Sequence, residues 1–251
     1  MSYISEYKQS IDHPALFWSE KAKDLEWFDF PQKILSQDSE GINHWFSDGK
    51  MNTCHMAVDY HVNNGRGEQT AIIYDSPVTD TKKSYTYSEL RKEVAKCAGM
   101  IKAQGVEKGD RVIIYMPMIP ESVFAMLACA RLGAIHSVVF GGFASPELAV
   151  RIDDAKPKLI LSASCGIEIN RVIEYKPLLD GAIELAKHKV NKCIIYQREQ
   201  SQSSMIDGRD IDWESACKIA NEADCVKVRG DDPLYILYTS GTTGKPKGIV
   251  R

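Results

Sequence analysis

The sequence predicts an α/β protein, a largely parallel sheet with helices on both faces, preceded by a small helical, aromatic-rich N-terminal segment. Three observations carry this prediction. From Thr70 onward, short apolar strands alternate with helical patterns in the βαβα order that a parallel sheet covered on both faces produces. Several of the helical stretches carry their own start and stop residues. Before residue 65 the texture differs: Phe17, Trp18, Trp27, Phe28, Phe30, Trp45 and Phe46 stand among polar residues with few aliphatic runs. That pattern suits a segment clamped to a neighbour by aromatic anchors, or a small helical subdomain with its own core. The chain is accordingly divided into residues 1–64 and 65–251.

The elements follow in order. Thr70 to Tyr74 and Lys83 to Thr86 read as a β-pair. Thr86-Tyr-Ser-Glu89 is a capping box, in which hydroxyl and carboxylate satisfy each other's free backbone donors. A helix follows with Leu90, Val94, Cys97, Ala98 and Ile101 as its buried stripe and Gly105 just past its end. Arg111 to Tyr115 is a strand, Glu121 to Leu132 a helix closed by Gly133, and Ile135 to Val139 another strand. Ser145-Pro146 supplies an N-cap and a first-turn proline for a helix to about residue 155. Leu159 to Ser162, a helix after Pro177, Cys193 to Tyr196, a short helix from Trp213 to Ala220 and a buried strand from Leu234 to Tyr238 continue the alternation.

Bulk composition removes several function classes. With 44% hydrophobic and 26% charged residues, the chain is an ordinary globular one, long enough to bury a core without disulfide or metal staples. A formal charge of -3 argues against a nucleic-acid surface. The seven cysteines are scattered, with no C-x-x-C pair and no histidine spacing that completes a metal tetrahedron, so no metal site is expected. They read as reduced thiols of a cytoplasmic protein. The opening residues resemble neither a secretory signal nor a transit peptide. The most apolar stretch, 122–143, is interrupted by Arg131, His136 and paired glycines, which excludes a lipid-facing helix.

Ligands of such sheets collect beyond the carboxyl ends of the strands. The strongest signal there is Thr239-Ser-Gly-Thr-Thr-Gly-Lys-Pro-Lys-Gly248, between the strand at Leu234 to Tyr238 and a further apolar run. Glycines let backbone N–H groups approach an anion, hydroxyls rotate to donate, and lysines neutralise charge without a fixed geometry. The mixture points to polyphosphate binding through Thr239, Ser240, Gly241, Thr242, Thr243, Gly244, Lys245 and Lys247; a plain hydrophilic connection is the alternative. It is not the common P-loop, because Lys245 precedes Pro246 and Gly248, which oppose a helix. A second loop, Phe140-Gly-Gly-Phe143, places adjacent glycines at a strand end just before a helix N-terminus. It suits close approach of a negatively charged ligand, or simply a tight turn with positive φ. His55 and His61 lie six residues apart, off ligand spacing, and are assigned solvated or core roles. Asp231 and Asp232 before Pro233 are read as a turn, and Lys187, His188, Lys189 and Lys192 as a solvated helix end.

The segment Tyr238-Thr-Ser-Gly-Thr-Thr-Gly-Lys-Pro-Lys-Gly248 resembles the phosphate-loop motif of the adenylate-forming superfamily. Ala71 to Val78, Val112 to Pro120, Val138 to Pro146 and Asp232 to Tyr238 are similar to acetyl- and especially propionyl-CoA synthetases. The likeness spans nearly the whole chain, the N-terminal segment included. It implies the first part of that family's large N-terminal domain and a two-step ligase. Carboxylate plus ATP gives acyl-adenylate and pyrophosphate; the thiol of coenzyme A then displaces AMP, with Mg2+ offsetting the polyphosphate charge.

The same resemblance implies that Phe140, Gly141 and Gly142 lie against CoA, and that Glu168, Ile169, Asn170 and Arg171 sit where acetyl-CoA synthetases place two arginines around its phosphorylated end. Arg171 matches the second arginine. Glu168 stands at the first and departs from the pattern, which weakens the grip expected there. A plain surface arginine or a helix-entry salt bridge is the alternative for Arg171. By the same resemblance the groups for adenine, ribose, metal and acyl chain, and the adenylation lysine, lie beyond Arg251. No catalytic residue is therefore expected within the chain, which reads as an N-terminal piece of a longer enzyme, inactive alone. Another adenylate-forming enzyme and a non-catalytic nucleotide- or CoA-binding module are the rival functions. Neither the acyl chain preferred, propionate or acetate, nor the oligomeric state is legible.

Overall fold

Val112, Ile114 and Met116 point to one side of a strand while Ile113 and Tyr115 point to the other, and all are buried. A strand apolar on both faces needs a helical layer on each. The computed structural model, which describes residues 2–169, 171–239 and 246–251, supplies both.

The first segment holds helices α1 (Tyr3–Asp12) and α2 (Pro14–Ala22) and short strands β1 (Leu35–Gln37), β2 (Asn43–Trp45) and β3 (Lys50–Met51). A π-helical turn, His55–Asp59, and a second wide turn, Val62–Arg66, broken at Gly65 where φ is 78°, lead out of it. A hairpin follows, β4 (Thr70–Ser76) with β5 (Thr81–Thr86), then α3 (Tyr87–Ala103), β6 (Arg111–Met116), α4 (Pro120–Leu132), β7 (Ile135–Phe140) and α5 (Ser145–Ala155). Next come β8 (Leu159–Ala163), β9 (Cys165–Glu168), β10 (Arg171–Glu174), α6 (Tyr175–Leu185), β11 (Cys193–Tyr196), β12 (Asp210–Asp212) and α7 (Trp213–Ile219). Strands β13 (Val228–Arg229), β14 (Ile236–Thr239) and β15 (Lys247–Val250) finish the chain.

The central sheet has the order β12-β11-β8-β6-β7, with every pairing parallel. On one face α3, α4 and α7 bury Leu90, Val94, Phe124 and Trp213 against Val112, Ile114, Leu161 and Ile194. On the other, α5 and α6 bury Leu148, Ile152, Leu179 and Ile183 against Ile113, Tyr115, Ile160 and Ile195. The period-2 alternation of each strand decides which core a residue joins. The predicted capping box is present: Thr86 N–H donates to Glu89 Oε2 at 2.8 Å and Glu89 N–H to Thr86 Oγ1 at 3.2 Å. Gly133 ends α4 at φ 66°, the left-handed conformation a helix terminus favours.

Three local expectations change. The N-cap of α5 is Ala144, while Ser145 Oγ donates to Leu178 O at 2.9 Å and so staples α5 to α6. Helix α6 begins at Tyr175, with Pro177 in its first turn, where a missing N–H costs nothing. The strand expected to be buried from Leu234 to Tyr238 begins at Ile236 and has Leu237 51% exposed. It pairs antiparallel with β15 and meets β7 by a single bridge, His136 to Tyr235, so one of its faces stays open.

The aromatic side chains of the N-terminal segment pack on one another. Trp27 packs on Phe30 and Phe46, and Trp18 on Trp45, a local cluster. The segment is joined to the larger unit by apolar contact, through the fully buried Cys54 and Val58, and by polar bonds. Asn52 Nδ2 donates to Ala130 O, Arg131 O and Val226 O at 2.9, 3.2 and 2.8 Å, and β3 pairs with β13. Lys189 Nζ donates to the carbonyls of Ile183, Glu184 and Ala186, closing α6 as a helix-end lysine does. Asp232 Oδ2 accepts from Arg229 N at 2.7 Å, the turn expected there.

His136 sits at the joint between β7 and β14, its Nδ1 without a hydrogen-bond partner among the described residues. Burial depresses its pKa from 6.5 to about 4. Above pH 6.5 the ring is neutral folded or unfolded. As pH falls from there toward 4, the unfolded chain takes up a proton that the folded chain refuses, so stability drops. At about 1.4 kcal/mol per pKa unit, roughly 3 kcal/mol is lost over that window. Urea unfolding of wild type and His136→Gln across it is expected to show a shallower loss in the variant. An identical loss in both would assign the titration to other groups.

Candidate functional site

The parallel strands direct their carboxyl ends to one edge, where β6 stops at Met116, β7 at Phe140, β8 at Ala163 and β11 at Tyr196. A cavity of about 380 Å³ opens there. Pro77, Val78, Met116, Val138 and Ile167 form apolar walls, and Phe140, Gly141, Tyr175, Glu168 and Arg198 also line it. A second cavity of about 260 Å³ adjoins it, sharing Tyr74, Ile119 and Arg198 and adding Lys83, Glu121 and Tyr196.

The glycine pair is built around Tyr175, the first residue of α6. A Cβ on Gly141 would come 2.5 Å from the Tyr175 hydroxyl, and Gly142 holds φ at +92°. The first glycine therefore lets the Tyr175 ring lie directly under the loop, and the second makes the turn. Gly166 is pressed on the same ring. Tyr115, whose ring centroid lies 5.1 Å from that of Tyr175, donates its hydroxyl to Phe143 O at 2.8 Å and pins the far side of the turn. Burial pushes the Tyr175 hydroxyl up to about 12, so it stays protonated and can donate. Burial likewise raises the Glu121 carboxyl in the neighbouring cavity.

Glu168 and Arg171 end β9 and start β10, the two arms of an antiparallel hairpin that pairs them directly. Ile169 is 83% exposed with φ +53°; Asn170 lies outside the described residues. Arg171 Nη2 sits 3.4 Å from Glu168 Oε2 with both side chains well exposed. A surface pair of this kind is worth about 0–1 kcal/mol, so an incoming anion can displace the carboxylate. Of the residues singled out from sequence, Phe140, Gly141 and Glu168 meet in one cavity, and Arg171 reaches it through Glu168.

The hydroxyl, glycine and lysine segment is closed at its base by the β14–β15 hairpin, which places Thr239 opposite Lys247 and Tyr238 opposite Gly248. Both Thr239 and Lys247 are exposed. Ser240, Gly241, Thr242, Thr243, Gly244 and Lys245 lie outside the described residues. The hairpin hangs from β7 through Ser137 Oγ, which donates to Ile236 O at 3.0 Å. Tyr238 donates its hydroxyl to Asp154 Oδ2 at 2.7 Å, and Arg151 stacks over both Tyr238 and Phe143. One arginine of α5 thus touches the loop after β7 and the base of the terminal hairpin.

Sequence reasoning missed Tyr175 and Arg198. Arg198 follows the carboxyl end of β11 by two residues, so the strand-end rule could have found it; nothing local marked Tyr175 as the support of two glycines. Cys54, Asp59 and Cys225 bring ligand atoms within 4.8 Å of one another, but the Arg131 guanidinium already holds Asp59, at 2.6 and 3.1 Å. No helix among the described residues is long and apolar enough to cross a membrane.

Comparison with known proteins agrees with this architecture. An uncharacterized protein of Pseudomonas aeruginosa is 57% identical over 251 residues, all of this chain and 40% of that protein. The mitochondrial acyl-CoA synthetase short-chain family member 3 of Rattus norvegicus is 49% identical over 250 residues, 99% of this chain and 37% of that protein. The chain thus spans about two fifths of the length of these relatives. The solved acetoacetyl-CoA synthetase of Streptomyces lividans superposes with a TM-score of 0.87 at 25% identity, over 100% of this chain and 38% of that one. Residues 3–57 match the family model described as the acetyl-coenzyme A synthetase N-terminus. Residues 59–251 match the model of the AMP-binding enzymes, and the chain belongs to that family.

Proposed function

We propose that this chain serves an ATP-dependent short-chain acyl-CoA synthetase. In the first step a short-chain carboxylate, propionate or acetate, attacks the α-phosphorus of ATP. The acyl-adenylate then passes its acyl group to the thiol of coenzyme A, releasing AMP. The observation that carries the reading is the terminal segment itself, glycines, hydroxyls and lysines between paired Thr239 and Lys247, in a chain of the AMP-binding family. The short-chain class is supported by the name of the rat relative and by the likeness to propionyl-CoA synthetases.

In this reading Thr239, Ser240, Thr242, Thr243, Lys245 and Lys247, with the N–H groups of Gly241 and Gly244, hold the β- and γ-phosphates and stabilise the departing pyrophosphate. Charge on that leaving group grows toward the transition state, so donors fixed beforehand lower the barrier. Mg2+ offsets the remaining charge. Phe140, Gly141 and Gly142 line the approach of CoA, whose phosphorylated end meets the hairpin tip of Glu168, Ile169, Asn170 and Arg171. Seven free cysteines suit a reducing compartment, and we place the protein in the cytoplasm.

The test is isotope exchange between pyrophosphate and ATP. Exchange dependent on propionate or acetate, with CoA thioester formed only when CoA is added, is expected of the full-length protein. The 251-residue chain alone is expected to show neither. Adenylate formation with no thioester product would instead favour an adenylating enzyme of another kind.

A further inference from the structure

Arg198 is 8% exposed, and among the described residues no carboxylate lies within 4.0 Å of its guanidinium. The other two buried arginines differ: Arg131 holds Asp59 and Arg151 holds Glu147, as the half-buried Arg209 holds Asp180 and Asp210. One Arg198 nitrogen, Nη1, donates to Cys165 O at 3.2 Å, and the Arg198 backbone N–H donates to Ser164 Oγ at 2.9 Å, which fixes the root of the side chain. Arg198 lines both cavities at the carboxyl edge of the sheet. A buried charge without a counter-charge is costly by several kcal/mol, so such a group marks a place where an anion docks.

The larger cavity is the better fit. On the smaller side Arg198 shares the lining with Lys83 and with three acids, Glu121, Glu199 and Glu214, none of which is in an ion pair among the described residues. In the larger one it stands among Pro77, Val78, Met116, Val138 and Ile167, with Gly141 and Tyr175 beside it. Two acids, Asp75 and Glu168, share that cavity. Glu168 is engaged with Arg171, and Asp75 with Lys82 at 2.8 Å. A ligand with one phosphate and a long, weakly polar body matches this lining, and a planar guanidinium can hold phosphate oxygens in pairs.

We propose that Arg198 is a specificity-determining anchor for a phosphate of coenzyme A, supplying from the cavity wall the positive charge that Glu168 withholds at the hairpin tip. The inference rests on the acyl-CoA synthetase reading, and the experiment separates the two. In the full-length enzyme, carboxylate-dependent ATP–pyrophosphate exchange without CoA reports the first step, and thioester formation reports the second. Arg198→Gln is expected to raise the KM for CoA about ten- to hundredfold, the loss of charge-assisted hydrogen bonds, while exchange is unchanged. Arg198→Lys, which keeps the charge and loses the fork, is expected to fall between.

Substrate analogues assign the phosphate. If Arg198 holds the 3′-phosphate, dephospho-CoA is used equally well by wild type and Arg198→Gln. If it holds the pyrophosphate bridge, the defect persists with dephospho-CoA and vanishes with pantetheine. An unaltered KM for CoA in a variant with normal exchange overturns the proposal. So does a proportional fall of both steps that Arg198→Lys fully repairs with no change in CoA preference, since that marks a purely structural arginine. Absence of exchange in the wild-type enzyme would strike the functional reading instead.

Discussion

Replacing Arg131 by methionine is expected to lower unfolding free energy by about 3–5 kcal/mol, the range found when one partner of a buried ion pair is removed. Arg131 lies on α4 with its side chain 5% exposed, and its guanidinium meets both oxygens of Asp59, itself 12% exposed, in the π-helical turn that leads from the N-terminal segment. Its Nε donates to Ala223 O in the stretch leading toward β13, and the Asp59 carboxylate also accepts from Cys225 Sγ at 3.7 Å. Three distant parts of the chain therefore share one charge. The variant leaves the Asp59 carboxyl largely buried without its partner, and that stranded group is the main penalty. The double variant Arg131→Met with Asp59→Leu is expected to recover much of the loss, because neither charge then remains buried. Urea unfolding of all three proteins checks this. A single variant within about 1 kcal/mol of wild type would show the pair to be solvated in practice.

Lys245→Ala in the full-length enzyme is expected to slow ATP–pyrophosphate exchange about 10²–10³-fold, by analogy with loss of one donor from an oxyanion site. The effect should fall mainly on the rate and less on ATP binding, because a lysine that neutralises a leaving group acts most strongly where that charge is greatest. Glycine at Thr242 or Thr243 removes one hydroxyl donor and should cost less. Single-turnover measurement of adenylate formation separates this step from later ones. Exchange undiminished by Lys245→Ala would remove the phosphate-gripping role from the segment, whatever its likeness to known motifs.

Where local residues specify a local outcome, the chain was readable. The Thr86 and Glu89 capping box, the left-handed Gly133 after α4 and the Asp232 turn all follow from contacts a few residues apart. Four of the five central strands, β6, β7, β8 and β11, were legible for a different reason: burial on both faces demands apolar runs, and few other structures need them, whereas the edge strand β12, Asp-Ile-Asp and only half-buried, was not foreseen. Failures came where a distant partner outbid the local signal. Ser145 has the chemistry of an N-cap, but the carbonyl of Leu178 on a neighbouring helix takes its hydroxyl. Strand β14 has the apolar content of a core strand, yet it joins no ladder of the main sheet, meeting β7 through an isolated bridge at His136 and the Ser137 hydroxyl, and leaves Leu237 half exposed.

By itself, then, the sequence determined the α/β class, the alternation of the main strands and helices from Thr70 onward and the chemical character of its loops, because period, caps and glycine placement act within a turn or two. Tertiary structure alone decided which loops share a space. Tyr175 became the floor under Gly141 and Gly166, Glu168 became the partner of Arg171 at a hairpin tip, and Arg198 came to line the same cavity as Gly141 with no carboxylate partner among the described residues. The physical reason is that a cavity belongs to no single segment. Its walls come from strand ends far apart in the chain, joined by parallel crossovers whose packing no local pattern encodes.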